Sequence, residues 1–258
     1  MPRPHENPYR PRYPITAYAL AAARHMHEFG TTREQLAEVA VAARKWAAMN
    51  PRAFMREPLS IDDVLSSRIV AWPLTVRDCC LVTDGGGAAV MVSADRARDC
   101  RTQPVYLLGA GTAHWHWQIS SMRDLTTTAA LDSGRAAFRM AGMSPADIDV
   151  VELYDAFSIN PILFLEDLGF CGKGEGGAFV ANGRIAPGGS LPVNTNGGGL
   201  SFCHPGAYGV FTVVEAVEQL RGQAGERQIK GATTALCHGN GAVLSAQSTA
   251  ILGTAICL

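Results

Sequence analysis

No stretch of this 258-residue chain approaches the roughly 20 consecutive apolar residues that a membrane helix needs, and the opening MPRPHENPYRPRYP lacks the apolar core of a secretory signal. The expectation is a cytoplasmic protein that does not enter a membrane. Neither sign of charge dominates: 22 basic residues against 23 acidic ones leave a formal net charge of −1. Nothing global therefore attracts nucleic acid or an anionic surface, and an anionic ligand must be met by a local site. No CxxC pair occurs. The seven cysteines, at 79, 80, 100, 171, 203, 237 and 257, are odd in number and include the adjacent pair Cys79-Cys80, which suits reduced thiols better than a disulfide framework. A metal site is not expected either. His114 and His116 in HWH place two imidazoles on one strand face, but no third ligand has suitable spacing.

What is present is a globular composition, 47% hydrophobic and 17% charged, enough for one large or two modest domains. Residues 1–15 hold five prolines and read as an extended arm lying on other structure. TAYALAAARHMHEF then has helical spacing and stops at Gly30. A second helix opens with Thr32 and Gln35 in capping-box spacing and puts Leu36, Val39, Ala40, Ala43 and Trp46 on one face.

Two apolar runs around Asp84-Gly85-Gly86-Gly87 read as a hairpin over residues 79–92, and CHGNGAVL near the C-terminus repeats the plan. The echo of DGGGAAV in HGNGAVL suggests one unit occurring twice, although unrelated glycine turns would look the same. Between them a strand at PVYLLGAG, a helix stopped by Gly142, a Ser-Pro turn and a strand ending in ELYDAF alternate with a helix from Ser158 to Gly169. A glycine-rich excursion, a short strand, a helix from about Pro205 to Leu220 and the last hairpin follow. Such alternation predicts an α/β layered fold with helices covering a mixed sheet.

Three stretches carry chemistry. In NTNGGGLSFCHPGAYG, Pro205 at the first helical position would put His204 beside the N-cap, where free amides and the helix dipole favour an oxyanion. The glycines upstream would let a bulky thioester approach the backbone, and a plain helix cap is the alternative. Cys237, beside His238 at the expected turn CHGNG, is a candidate acid, base or nucleophile, or else a core thiol. Tyr154 and Asp155 end a strand at the carboxyl edge of the sheet, where open α/β folds place ligands, although such a pair also suits an ordinary turn.

Taken in order, LYDAFSINP, NTNGGGLSFCHPGAYG and CHGNGAVL resemble three motifs of the thiolase superfamily: Asn-Glu-Ala-Phe, Gly-His-Pro-x-Gly-x-Ser/Thr-Gly and Cys-x-Gly-Gly-Gly. Within that superfamily the chain resembles the sterol-carrier-protein-type thiolases and related actinobacterial lipid-transfer thiolase-like proteins. The resemblance implies a mixed five-stranded sheet covered by helices, with a complete C-terminal half at 104–258, a remnant of the N-terminal half at 61–103, and a helical loop region at 1–60. It implies His204 in the oxyanion hole, Cys237 as the acid/base at the substrate α-carbon, and Asp155 where many thiolases use Asn. Asn196, Gly198, Gly199, Ser201 and Gly239 become the substrate-binding positions, with CoA or acyl-CoA as substrate and no covalently bound cofactor.

The histidine motif departs from the pattern by being one residue shorter and carrying Tyr208, a form resembling steroid side-chain aldolases, in which tyrosines are implicated in retro-aldol cleavage. Tyr208 and Tyr154 are therefore candidate proton-transfer groups. No cysteine matches the family's nucleophile motif, so the chain reads as a fragment, as a subunit completed by another chain, or as an inactive member. The function implied is an acyl-CoA enzyme of the acetyl-CoA acyltransferase type that makes or breaks a carbon–carbon bond beside a thioester in lipid or steroid catabolism. The alternatives are a retro-aldolase on 3-hydroxyacyl-CoA and a non-catalytic acyl-CoA-binding or scaffold subunit. The implied partners are a second copy, in a homodimer or dimer of dimers, and a zinc-ribbon/OB-fold accessory subunit.

Overall fold

The computed structural model describes residues 6–258, so the arm expected at 1–15 lies partly outside it. Helices α1 (Ile15–Phe29), α2 (Arg33–Ala48) and α3 (Ile61–Ser66) precede a small antiparallel pair, β1 (Ile69–Ala71) and β2 (Leu74–Thr75). After the short α4 (Ala94–Ala97) come β3 (Tyr106–His114), α5 (Ala130–Ala141), β4 (Val150–Leu153), α6 (Ile159–Asp167) and α7 (Gly176–Val180). The chain closes with α8 (Gly209–Leu220), β5 (Thr234–Gly241) and β6 (Ala246–Gly253).

The local signals that defined the first helices hold. Gly30 ends α1 in the left-handed conformation, and the Thr32 hydroxyl accepts from the Gln35 amide while the Gln35 side chain accepts from the Thr32 amide. Leu36, Val39, Ala40, Ala43 and Trp46 are all buried, and full burial of a side chain the size of Leu36 contributes about 1.5–3 kcal/mol. The Trp46 indole donates to the Ile185 carbonyl at 2.9 Å, which ties α2 to the glycine-rich segment.

The main sheet has the order β3-β6-β5-β4, with β4 and β5 parallel and the other pairs antiparallel. α5 covers β3 and β6 closely because Gly109 and Gly111 bear no side chain; a Cβ on either would collide with α5 backbone. Alternation along β5 sorts its residues. Leu236 and His238 face the core shared with α6, whereas Ala235 and Cys237 pack with Ala216 and Leu220 of α8 on the opposite face.

The structure departs from expectation in four places. The fifth strand is a single bridge, Val151 to Val193, because Pro192 has no amide with which to extend the ladder. Residues 79–93 carry no hairpin. Val82, Val90 and Met91 are 97%, 90% and 79% exposed, and an apolar ribbon with no sheet to bury it does not hold strand pairing. Helix α8 starts at Gly209 with Tyr208 as N-cap, since Gly206 is left-handed (φ 87°) and breaks the helical path four residues after Phe202. Finally, His238 to Gly241 pair within β5, and the turn lies at residues 242–245.

Candidate active site

β3, β4 and β5 all point their carboxyl ends the same way, and a cavity of about 1010 Å³ opens there. The Tyr154 amide extends the parallel pairing past Leu153 by donating to the His238 carbonyl at 2.9 Å, which delivers the phenol to the cavity wall. His204 arrives on the loop before α8. Its position is set by the segment after β2: the His204 amide donates to the Thr83 hydroxyl at 2.9 Å, and Leu81 donates to the Gly199 carbonyl.

The Tyr154 hydroxyl and His204 Nε2 lie 3.0 Å apart with both rings on the cavity wall. Burial lowers the imidazole pKa below its ordinary value, so the ring is neutral near pH 7, and in the tautomer with its hydrogen on Nδ1 it accepts the phenolic hydrogen at Nε2. Burial raises the phenol above its usual value, while the Tyr208 backbone amide beside the oxygen pulls in the other direction. The pair is therefore a neutral phenol held by a neutral base, with the α8 N-cap amide turned toward the phenolic oxygen.

The remaining sequence-predicted residues fall into three groups. Gly239 lines the cavity with Tyr154 and His204. Asp155, Asn196, Gly198, Gly199, Ser201 and Tyr208 form a buried shell beneath it and do not line it. In that shell the Asp155 carboxylate accepts from the Gly199 amide at 2.5 Å and more loosely from Leu200. Asn196 Oδ1 accepts from the Gly198 amide and from the Tyr208 hydroxyl, both at 2.8 Å, and Ser201 accepts from Arg44. Burial pushes Asp155 up to about 7 against the opposing pull of those amides. Cys237 stands apart from both groups. Its thiol donates to the Thr212 carbonyl in the α8 core, and burial, then the nearby Glu152 carboxyl, push it far above the ordinary thiol range.

Sequence reasoning passed over Tyr18, Cys80, Asn240 and Gln247, all of which line the cavity. Tyr18 reads as one more residue on the apolar face of α1, and Cys80 as part of an apolar run. Asn240 did leave a signal, because it occupies a glycine position of the Cys-x-Gly-Gly-Gly motif. His114 also lines the cavity, while His116 lies beyond the end of β3 with Nδ1 against the Gln118 carbonyl.

Comparison with known proteins agrees with this architecture. Residues 111–254 match the family described as thiolase C-terminal domain-like. An acetyl-CoA acetyltransferase of Methanothermobacter thermautotrophicus is 44% identical over 87% of this chain and 59% of its own length. A 17-hydroxy-3-oxo-4-pregnene-20-carboxyl-CoA lyase of Mycobacterium tuberculosis is 38% identical over 81% of this chain and 55% of its own. Among solved structures, the Ltp2-ChsH2(DUF35) aldolase superposes with a TM-score of 0.87 at 32% identity, covering 96% of this chain and 65% of that one. The chain thus spans somewhat over half the length of the curated relatives it matches.

Proposed function

This chain belongs to the thiolase family, and from that premise we propose that it acts on acyl-CoA thioesters by breaking the carbon–carbon bond next to the thioester, in the retro-aldol sense. The observation that carries this reading is the 3.0 Å contact between the Tyr154 hydroxyl and His204 Nε2 on the cavity wall. The names of the M. tuberculosis lyase and of the Ltp2-ChsH2(DUF35) aldolase support the same class of reaction.

The steps balance with these two groups. The 3-hydroxyl of a 3-hydroxyacyl-CoA gives its proton to the Tyr154 oxygen as Tyr154 passes its own proton to His204 Nε2. The oxygen's electron pair becomes the new carbonyl, the C2–C3 bond breaks, and its electrons move into the thioester as an enolate. The imidazolium then faces the enolate oxygen and stabilises it. Return of the proton through Tyr154 to C2 yields a shortened acyl-CoA and a ketone or aldehyde. Tyr208, Asn196 and Asp155 position the dyad from beneath, with the substrate in lipid or steroid catabolism and no bound cofactor required.

Thiolysis of a 3-oxoacyl-CoA is the second reading, favoured by the 44% identical acetyltransferase and by Cys80, a thiol on the cavity wall. Burial pushes that thiol up to about 12, which opposes the thiolate such chemistry needs. We also propose a DUF35-type accessory subunit, the zinc-ribbon/OB-fold kind, together with self-association and a cytoplasmic location.

The test is incubation with a 3-hydroxyacyl-CoA, with and without a DUF35-type subunit, following the shortened acyl-CoA by mass spectrometry. Formation of a carbonyl product and its loss in Tyr154→Phe supports the retro-aldol reading. A product that appears only with free CoA from a 3-oxoacyl-CoA supports thiolysis, and saturable binding without turnover in either mixture supports a scaffold role.

A further inference from the structure

One wall of the cavity carries a directed hydrogen-bond chain that the proposed reaction does not use. Its far end is the Ala242 carbonyl, which can only accept, so the Tyr18 hydroxyl donates to it at 3.2 Å. The Tyr18 oxygen must then accept from Asn240 Nδ2, at 2.8 Å. That turns Asn240 Oδ1 toward Gln247, whose Nε2 donates to it at 3.0 Å, and turns Gln247 Oε1 toward His238 Nε2 at 2.8 Å. His238 therefore carries its hydrogen on Nε2 and accepts at Nδ1 from the Thr249 hydroxyl at 2.9 Å, behind which stands Ser133. Burial keeps this imidazole neutral by lowering it to about 4.

The chain pins the Asn240 amide plane and consumes one of its two Nδ2 hydrogens. The second has no acceptor among the described residues, although Asn240 is only 8% exposed and lines the cavity. Much of the adjoining wall, Ala156, Phe157, Ala207 and Val210 included, is apolar. Once an acyl chain fills the cavity and excludes water, a donor there without an acceptor costs about 1–3 kcal/mol, and an oxygen on that chain removes the cost.

We infer that Asn240 is a specificity-determining residue, whose second amide hydrogen donates to an oxygen on the acyl chain of the bound CoA ester. The site then selects acyl chains bearing a hydroxyl or keto oxygen over plain ones, because a pocket built to donate rejects the analogue that lacks the acceptor. Gln247 and His238 are positioning residues that hold the amide in that orientation. This inference rests on the reading of the cavity as an acyl-CoA site.

The experiment is calorimetric titration of the full chain with a 3-hydroxyacyl-CoA and with its 3-deoxy counterpart of identical carbon skeleton, for wild type, Asn240→Ala and the near-isosteric Asn240→Asp, with melting curves beside each. Wild type is expected to bind the hydroxylated ester about 5- to 100-fold more tightly. Both variants are expected to lose at least about fivefold of that preference, what remains being the contact of the 3-hydroxyl with Tyr154, while binding the deoxy ester within about threefold of wild type, and Asn240→Asp serves if the Ala variant does not fold. A preference that survives undiminished in the folded variant overturns the inference and leaves the acyl-CoA reading standing. Wild type that binds both esters equally does the same. If neither ester binds wild type, the acyl-CoA reading falls and takes the inference with it.

Discussion

Tyr154 and His204, fifty residues apart in the chain, meet hydroxyl to ring nitrogen at 3.0 Å because the end of β4 and the loop before α8 converge on one cavity. Neither residue is positioned by its neighbours in sequence. Tyr154 is held by strand pairing with His238, and His204 by the passing segment at Thr83.

Removal of the phenol is the most direct test of the dyad. Tyr154→Phe keeps the ring packing and loses the hydroxyl, so kcat on a 3-hydroxyacyl-CoA is expected to fall about 10²- to 10⁴-fold with the melting temperature little changed. Steady-state kinetics and a thermal melt on the same preparation check this.

The dyad also sets an acid limb. Because burial lowers the His204 pKa, the imidazole stays a neutral acceptor below the ordinary histidine value, and activity is lost only as pH falls past that lowered value. A plot of kcat/KM against pH should place the midpoint of its acid limb below the ordinary histidine value of 6.5. A midpoint above that value would contradict the assignment.

Cys237 provides the contrary case. Its thiol sits in the α8 core and not on the cavity wall, so Cys237→Ala is expected to cost about 1 kcal/mol of stability and to leave turnover within a few-fold of wild type. A loss of 100-fold or more in a folded variant would restore this thiol to the role that the family resemblance implies.

Asp155 predicts a pH dependence of stability. Its folded value of about 7 lies above its ordinary 3.8, so the folded protein holds this proton more tightly than the unfolded chain does. The resulting stabilisation is fully present below the unfolded value and is lost as pH rises through about 7, a change on the order of 4 kcal/mol. Denaturant titrations from pH 5 to pH 8 should show a falling contribution in wild type that is missing in Asp155→Asn.

Gly198 is irreplaceable for a related reason. It sits at φ 65° against Asp155, and a Cβ there would collide with the carboxylate. Gly198→Ala is expected to destabilise the fold by about 2–4 kcal/mol and to displace the loop carrying His204, read as a lowered melting temperature together with reduced turnover.

Much of this architecture is written in local sequence. The capping box at Thr32 and Gln35, the glycine stops at Gly30 and Gly142, the apolar face of α2 and the α/β alternation depend on contacts a few residues apart, and they appear where the pattern places them. The three ordered motifs likewise carried the family. What depends on remote partners was not legible. The run at 79–93 has strand composition and no sheet to pair with, and Pro205 looks like a helix start until the left-handed Gly206 postpones α8 to Gly209.

Within the site, the sequence by itself determined that Tyr154, Asp155 and His204 lie at chain positions suited to a ligand, because a strand end and a glycine-rich loop impose that locally. Only the tertiary structure decided which of them face the cavity. The two-residue alternation of β5 sends Cys237 into the α8 core, while strand-end pairing turns Tyr154 outward to meet His204. Asn240 and Gln247 are cross-strand partners in the β5–β6 hairpin, and Tyr18 joins them only because α1 brings its hydroxyl to Asn240 and Ala242, more than 200 positions away, a contact with no local signature.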